Sequence, residues 1–535
     1  MLTKLNSHTF ENDTPFELTS HYVGNEWVKT ADAAAKSFES LCPSTGKVIA
    51  VASAGKKDVI AATEAAHDYH RLARSVPFEK RIASIRYFTK IFKEYSSTLE
   101  TLATAEQGKP MWEVRHEINA CTDYLEWVSE NGDFIREQLL GPARLGHIKS
   151  EFLQKPAGPT AAYLPFSTVI SSFCFYYVAG KLSGCPLIMF SSKHNLLQAA
   201  LLTSFVEESQ SLSPDGDPPS QSIFGPGHFQ MLFGGFSEMK LALTDRKIAA
   251  VLYTGSRDHC DEIREDSRSF PERRLILQSG GKNTAVVHSS ANMHLAVNAI
   301  CLGAFRSSGQ LCSSTNRVMV HRTRLDEFST LMKAALKKMT IGPTHAPGQN
   351  PFMGALYSEK AVERFLRYQT MAAREAEATI AWGKAYTPDD DAAKGGYFVT
   401  PGIHLLKEPD DTSYQKSVIF CPDIAVYSYD QLDDGIDQIA NATKASFSLS
   451  FFGDEAILKG RLERFHAPNI LHNLPTTEAQ ACLPLAGRYA SGFHRFHGPS
   501  LAHYLLHPTA YQKTTEIEPF ISDWPRLLDA EESHS

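Results

Sequence analysis

The chain has 535 residues and a formal net charge of −7, so it is long enough for two or three domains with large apolar cores. Hydrophobic residues make up 43% and charged residues 21%, as in an ordinary globular protein, and a pI near 6.3 gives no basic footprint for nucleic acid. The nine cysteines include no CxxC pair, so we expect no disulfide framework, no metal site and a reducing, cytoplasmic location.

The chain carries no sequence signal for a membrane. Residues 1–17 are polar and acidic and lack the apolar core of a signal peptide. The longest apolar-leaning run, residues 168–180, is too short to span a bilayer. We therefore expect neither a membrane nor a nucleic-acid partner.

The first 155 residues predict two hairpins followed by helices. An extended arm is expected over 1–20, and turn signals at Gly24-Asn25 and around Gly46 predict the hairpins. Apolar spacing of 3.6 residues predicts helices between 57 and 107, and another long helix runs from Trp112 to about 139. Gly-Pro punctuation over 140–155 predicts an exposed hairpin or arm.

From residue 160 onward, strands alternate with helices, and the pattern restarts after 282. This alternation predicts an α/β protein with parallel sheets covered by helices on both faces. The predicted strands are 160–165, 186–190, 229–233, 249–253, 274–277, 285–288, 317–321, 397–400 and 424–427. The predicted helices are 171–182, 196–208, 292–307, 325–339 and 432–442, with a surface loop over 209–220.

The segment 305–317, FRSSGQLCSSTNR, brackets Cys312 with small and hydroxyl residues. A thiol in such a setting is a candidate nucleophile, because sulfur attacks carbonyl carbon well once it is ionised. The alternative is a buried structural cysteine, since free cysteine is among the most buried residue types. Two features favour the nucleophile. Gln278 begins a Gln-Ser-Gly-Gly-Lys stretch 34 residues upstream, and Gly309-Gln310 stands just before Leu311-Cys312.

Together with other motifs in the same order, these features resemble the aldehyde dehydrogenase superfamily, and its succinylglutamate semialdehyde dehydrogenase branch in particular. The resemblance covers about residues 22–519. The motifs that carry it are GKPMWE at 108–113, YTGS at 253–256, GYFVTPGI at 396–403, Phe420 with Pro422, and ASGFHR at 490–495.

The resemblance implies a fold of two parallel-sheet α/β domains, one Rossmann-like for the cofactor and one catalytic, with a small oligomerisation arm. It also implies a homodimer or tetramer. The expected boundaries are 1–137 with 161–279 for the cofactor-binding-type domain, 138–160 with 490–520 for the arm, 280–489 for the catalytic domain, and 521–535 for a tail.

For chemistry, the resemblance implies that Cys312 attacks a small-molecule aldehyde, that hydride passes to NAD or NADP, and that water hydrolyses the resulting thioester. The backbone N–H of Cys312 is then one oxyanion donor. Ser167 stands where the family has its second donor, an Asn. Gln278 stands where the family has a Glu that acts as general base, and a carboxamide has no useful basicity.

The cofactor positions also differ from the family pattern. The resemblance places Thr254, Gly255, Ser256 and Phe420 at the cofactor. The ribose-binding Lys-Pro-Ser-Glu turn is replaced by residues 190–193, FSSK, in which Lys193 is either a phosphate contact that favours NADP or an ordinary solvated lysine. The remaining changes are Val418 for a ribose-binding Glu, and Cys260 and Cys421 for glycines.

Arg495 is a candidate partner for a substrate carboxylate, against the alternative of a surface or interface arginine. Three functions stay open on the sequence alone. The first is an NAD(P)-dependent semialdehyde dehydrogenase with weakened turnover. The second is a catalytically degenerate subunit that binds or scaffolds, and the third is thioester chemistry at Cys312 with coenzyme A as acceptor.

Overall fold

The structure is a computed structural model that describes residues 1–6, 14–30, 32–73, 76–140, 143–145, 148–210, 223–344, 350–441, 445–492, 494 and 498–513. Arg495, the tail 521–535 and most of the predicted loop 209–220 lie outside these residues.

The N-terminal part forms short strands and then a group of helices. The predicted long helix from Trp112 is interrupted at Asn131, whose side chain donates to the Trp127 carbonyl at 2.8 Å, so two helices form there. The elements are α1 (Leu2–Asn6), β1 (Phe16–Leu18), β2 (Ser20–Val23), β3 (Glu26–Lys29), β4 (Lys36–Leu41), β5 (Val48–Ala54), α2 (Lys56–Ala73), α3 (Phe78–Glu94), α4 (Ser96–Gln107), α5 (Met111–Glu130) and α6 (Gly132–Leu140).

The central part alternates strands and helices, as the sequence predicts. After β6 (Ala143–Leu145) and β7 (Ile148–Pro156), the elements are β8 (Thr160–Leu164), α7 (Val169–Ser183), β9 (Leu187–Ser191), α8 (Leu196–Gln210), β10 (Phe229–Leu232), α9 (Phe236–Leu243), β11 (Ala250–Thr254), α10 (Arg257–Asp266) and β12 (Arg274–Gln278).

These strands build the first large sheet, in the order β12-β11-β8-β9-β10-β2-β3. The five strands from β12 to β10 are parallel, and the β2–β3 hairpin adds antiparallel to β10. The chain builds outward from β8 through β9 and β10, then returns to place β11 on the other side of β8. The gap between β8 and β11 is therefore the switch point, where open sheets of this kind bind ligands beyond the carboxyl ends of their strands.

The second half repeats the alternation. Its elements are β13 (Asn283–Val287), α11 (Met293–Phe305), β14 (Thr315–His321), α12 (Leu325–Lys338), α13 (Glu359–Glu375), β15 (Ala376–Ala381), β16 (Gly402–Leu406), α14 (Ser413–Lys416), β17 (Asp423–Tyr429), α15 (Leu432–Gly435), β18 (Ala445–Ser446), β19 (Ser448–Phe452), α16 (Glu455–Lys459), β20 (Asn469–His472), β21 (Arg488–Tyr489), α17 (Ser500–His503) and β22 (Leu506–Lys513). The second large sheet has the order β15-β16-β17-β14-β13-β19-β20, parallel except at β15.

The strand predicted over 397–400 is wrong. Val399 makes only an isolated bridge with Ala385, and the strand begins at Gly402. Pro401 between them has no N–H to give to a ladder, which explains why the strand starts after it.

A third sheet joins distant parts of the chain. Strand β22 pairs antiparallel with β7 over all eight of its residues, and β6 pairs with the other side of β7. Buried apolar clusters cover both faces of each large sheet, so the two sheets have separate cores. Among the described residues, the structure contains no helix with the length and apolar character needed to cross a bilayer.

Candidate active site

Cys312 lies in the loop between α11 and β14, after an unusual backbone turn. Ser307, Ser308 and Gly309 have successive φ values of 55°, 53° and 70°, all in the left-handed region. A Cβ on Gly309 would lie 2.3 Å from the Cys421 carbonyl oxygen, so only glycine fits there. A backbone conformation of this kind persists only where the surrounding contacts hold it in place. We infer that this turn positions the thiol.

Hydrogen bonds tie the Cys312 loop to the start of β13. The Cys312 carbonyl accepts from the Gly281 N–H at 3.1 Å and from Asn283 Nδ2 at 2.9 Å. On the other side of the thiol, the Leu311 N–H donates to Ser314 Oγ at 3.1 Å. The half-buried thiol is thereby fixed against the segment that begins with Gln278.

Gln278 ends β12 and is buried, at 2% exposure. Burial raises the pKa of the Cys312 thiol to about 11, against the lowering effect of the nearby Gln278 side chain. Gln278 Nε2 has no hydrogen-bond partner among the described residues. Gln278 thus places an unpaired N–H donor on the same cavity wall as the thiol, and its chemistry excludes it as a base.

A cavity of about 160 Å³ opens beside the thiol. Its wall holds Cys312, Gln278 and Thr254 together with residues of α5 and of the segment 477–485. Two ion pairs run along this wall. Lys109 Nζ lies 2.9 Å from Glu117 Oε2, and Arg306 Nη1 lies 2.8 Å from Glu478 Oε1. The cavity therefore carries charged pairs set into a lining that is mostly apolar.

The acidic groups of the cavity titrate differently. Burial raises the pKa of Glu113, although Lys109 and Arg306 act against it. For Glu117, burial is outweighed by Lys109 and the bonds from Ser171, so its pKa is lowered. Hydrogen bonding from His116 first, and then Arg306, lowers the pKa of Glu478 to about 2. The wall keeps at least two carboxylates ionised at neutral pH.

Ser167 does not line this cavity, whereas its neighbour Thr168 does, together with Ser171 and Ser172. The Ser167 carbonyl accepts a 2.6 Å hydrogen bond from Lys109 Nζ. Its predicted role as an oxyanion donor stays a prediction.

Tyr176 is a site residue that the sequence analysis missed. It is fully buried in α7, with its hydroxyl 3.1 Å from Thr254 Oγ1. Burial raises the pKa of Tyr176, and the nearby Cys260 and Cys312 sulfurs add to that effect. The residue sits in an unbroken apolar helix, so only its neighbours in space mark it as part of the site.

The predicted cofactor residues lie at several points around the site, and their roles in cofactor binding stay predictions. Ser256 caps α10, accepting from the His259 N–H at 3.3 Å, and Thr254 lines the cavity beside Cys312. Phe190 is completely buried, and Lys193 is exposed in the turn after β9. Phe420, with a φ of 61°, packs with Val418 against the Gly280 position.

The crevice at the switch point, where a dinucleotide would lie, holds the side chains of Tyr163, Phe236, Tyr253 and His259, packed on one another. The residues present therefore do not fit NAD or NADP. In the part of the chain that the structure describes, no group of three or more His, Cys, Asp or Glu side chains is arranged to hold a metal ion.

Comparison with known proteins decides the family. The model of the aldehyde dehydrogenase family matches residues 27–510. The chain belongs to the aldehyde dehydrogenase family. This confirms the predicted resemblance and makes the chain a member of an oxidoreductase family, as the sequence predicts.

Curated relatives share about a quarter of its residues. N-succinylglutamate 5-semialdehyde dehydrogenase of Caulobacter sp. (strain K31) is 27% identical over 511 residues, covering 94% of this chain and 98% of the relative. Malonate-semialdehyde dehydrogenase 2 of Oceanobacillus iheyensis is 25% identical, covering 89% and 93%. The mouse 4-trimethylaminobutyraldehyde dehydrogenase is 26% identical, with the same coverage. All are enzymes by name, so they give no support to the scaffolding alternative.

Solved structures confirm the predicted α/β fold. Apo betaine aldehyde dehydrogenase of Staphylococcus aureus has a TM-score of 0.84 at 20% identity, covering 98% of this chain and 99% of that one. A Mycobacterium tuberculosis aldehyde dehydrogenase complexed with NAD+ has a TM-score of 0.82, also at 20% identity, covering 93% and 98%. At this identity the likeness speaks for the fold alone.

Proposed function

We propose that the chain captures a small polar aldehyde of the semialdehyde class as a hemithioacetal on Cys312. The observation that carries the proposal is the position of the thiol, which opens onto a cavity lined by ionised side chains. The names of two relatives, malonate-semialdehyde and succinylglutamate semialdehyde dehydrogenase, support that substrate class.

In the proposed capture step, the Cys312 sulfur bonds to the aldehyde carbon, and the carbonyl oxygen takes up the proton that the thiol loses. With a pKa of about 11, roughly one thiol in ten thousand is ionised at pH 7. The Gln278 carboxamide stabilises the thiolate, and the Cys312 N–H and a side chain such as Ser167 are the proposed oxyanion donors. Oxidation by NAD(P) is the family's next step, and since the crevice does not fit that group, the proposal ends at the adduct.

Gln278 also determines what happens to any thioester formed at Cys312. A carboxamide does not accept a proton from water, so hydrolysis loses the contribution of a general base, which is worth about 100- to 10,000-fold. The coenzyme A alternative avoids the need for a base, but it still needs a hydride acceptor to convert the adduct to a thioester, and the crevice does not fit one, so it is not part of the proposal.

We also infer the assembly and the domain division. One large sheet lies within 1–137 and 161–279 apart from Thr160 at the start of β8, and the other lies within 280–489, which supports the two domains. The pairing of β22 with β7 supports the arm over 138–160 and 490–520. A homodimer or tetramer in the cytoplasm is the corresponding proposal for the whole protein.

Protection of Cys312 from alkylation tests the capture. The protein is treated with iodoacetamide in the presence of succinic semialdehyde, malonate semialdehyde, 4-trimethylaminobutyraldehyde or propanal, and peptide mass spectrometry follows each cysteine. Cys482 is the internal control, because it is likewise partly exposed but does not line the cavity. The semialdehydes should slow alkylation of Cys312 alone. Equal alkylation with and without every aldehyde would exclude the proposal.

A further inference from the structure

We propose that the chain's own aromatic side chains close the cofactor crevice against NAD and NADP, so that aldehyde capture at Cys312 is independent of the dinucleotide. The side chains are Tyr163, Phe236, Tyr253 and His259, called the crevice cluster below. They come from β8, α9, β11 and α10, and meet only in the folded chain.

The cluster sits at the switch point itself. Tyr163 and Tyr253 occupy neighbouring strands on either side of the gap between β8 and β11, in register with each other. Their rings stack, with centroids 5.4 Å apart and planes at 25°. The floor of the crevice is therefore a continuous aromatic surface in place of exposed backbone.

Above this floor, Phe236 and His259 bridge the two helices that flank the crevice. Phe236 is the first residue of α9, and His259 lies in the first turn of α10. Their rings lie face to face, with centroids 3.8 Å apart and planes at 11°. A base between them would need about 7 Å, two stacking distances, so the present stack leaves no layer for adenine.

A hydrogen bond locks this stack. The Tyr253 hydroxyl lies 2.9 Å from His259 Nδ1. The same hydroxyl covers Gly255, since a Cβ built there would lie 2.1 Å from it. A diphosphate would have to displace this hydroxyl to approach the backbone of the turn from that side.

The opposite end of the crevice is also packed with aromatic rings. Phe166 follows β8, and its centroid lies 4.1 Å from that of Tyr357 and 6.0 Å from that of Phe420. His194 joins them, 5.3 Å from Tyr357. Opening the crevice for a dinucleotide would therefore cost aromatic contacts at both ends.

Calorimetric titration of the full chain with NAD+ and NADP+ tests the inference directly. We expect no saturable binding tighter than about 1 mM. The double variant Phe236→Ser/His259→Ala removes the bridging stack and should tighten binding roughly 10-fold or more. Phe134→Ala is the matched control, since Phe134 is an exposed ring on α6 that packs edge-on against Trp127. It should bind as weakly as the wild type.

Micromolar binding by the wild type would overturn the inference, and so would a folded double variant that binds no better than the wild type. If the double variant fails to fold by circular dichroism, His259→Ala alone gives the same reading, because His259 is only half buried on a surface helix. The alkylation assay on the same samples separates this inference from the proposed function. Tight dinucleotide binding with protection of Cys312 rejects only the closed crevice, and weak binding without protection rejects only the capture.

Discussion

Gln278 and Cys312 lie on the wall of the same cavity, and among the described residues the buried Gln278 carboxamide nitrogen has no hydrogen-bond partner. A buried N–H donor without an acceptor lowers the stability of the fold, unless a negative charge develops near enough to accept from it. The sulfur anion is that charge. The pair is thus built to support an anionic sulfur or oxygen, and it has no group that would activate water.

The first prediction concerns the ionisation of Cys312. Because its thiol has a pKa of about 11, the reactive thiolate becomes more abundant as pH rises. Alkylation by iodoacetamide should therefore accelerate about tenfold per pH unit from 7 to 10 and level off only above 11. A plateau near pH 8 would contradict the burial of this thiol.

The second prediction isolates the donor. Gln278→Leu keeps a side chain of similar size but removes the carboxamide that lowers the thiol pKa. Alkylation of Cys312 at pH 8 should slow about tenfold, which corresponds to one pKa unit. Cys482 in the same sample should react at an unchanged rate. An unaltered Cys312 profile would show that the carboxamide does not contact the sulfur.

The third prediction concerns water as an acceptor. p-Nitrophenyl acetate should acetylate Cys312, and the acetyl-enzyme should persist, since Gln278 provides no base. Gln278→Glu should shorten its lifetime by about 100-fold or more. The measurement is the rate at which the mass of the acetylated protein disappears. This rate does not depend on how fast the acetyl group was first attached. Cys312→Ser is the control and should show no rapid release of nitrophenol. An equal lifetime in both proteins would place the obstacle elsewhere.

Much of the fold is predictable from local patterns. Residues 250–278 alternate apolar runs with polar helices, and the strands there differ from the prediction by a residue or two. The second sheet is harder. Strand β15 is antiparallel and half exposed, and β16 starts only after Pro401. The sequence analysis assigned neither of them. For β15, the half-exposed segment AEATIA has no apolar run to mark it, whereas β16 was displaced by the strand predicted over 397–400.

The candidate site divides in the same way. Cys312 and Gln278 can be predicted from the sequence, because each stands in a short motif of small and polar residues that is typical of a catalytic loop. The crevice cluster is not, since Phe236 and His259 belong to different helices and only the topology stacks them. Tyr176 is hidden for a similar reason, because nothing in an apolar helix distinguishes the ring that meets Thr254.

The fourth prediction concerns Lys181, which is 1% exposed and lies 3.1 Å from His228 Nδ1 and 3.6 Å above the Phe224 ring. Burial lowers its pKa well below the ordinary value. Between the folded and the ordinary pKa of Lys181, the side chain is therefore protonated in the unfolded chain and neutral in the folded chain. Stability should rise with pH from the folded pKa up to the ordinary value near 10.

Lys181→Met removes this penalty. Its thermal midpoint at pH 7 should rise by roughly 2–4 °C, and its pH dependence between 7 and 10 should flatten. Burial also lowers the pKa of His228, but its ordinary value near 6.5 lies below that window. Lys193→Met, at an exposed position, should leave the curve unchanged. A lower midpoint for Lys181→Met would mean that the charged lysine stabilises the fold.

The Gln278 segment is held from the far end of the chain. Gln278 forms a bridge with Gly492. The Ser279 N–H donates to the Ser491 carbonyl at 2.9 Å, and the Ser279 hydroxyl donates to the Ala490 carbonyl at 2.7 Å. During synthesis, both large sheets have all their strands before residues 490–492 leave the ribosome. In a nascent chain stalled just short of that point, both sheets should be able to form, but the Gln278 segment would lack its contacts with residues 490–492. The alkylation rate of Cys312 should then differ from that of the released chain.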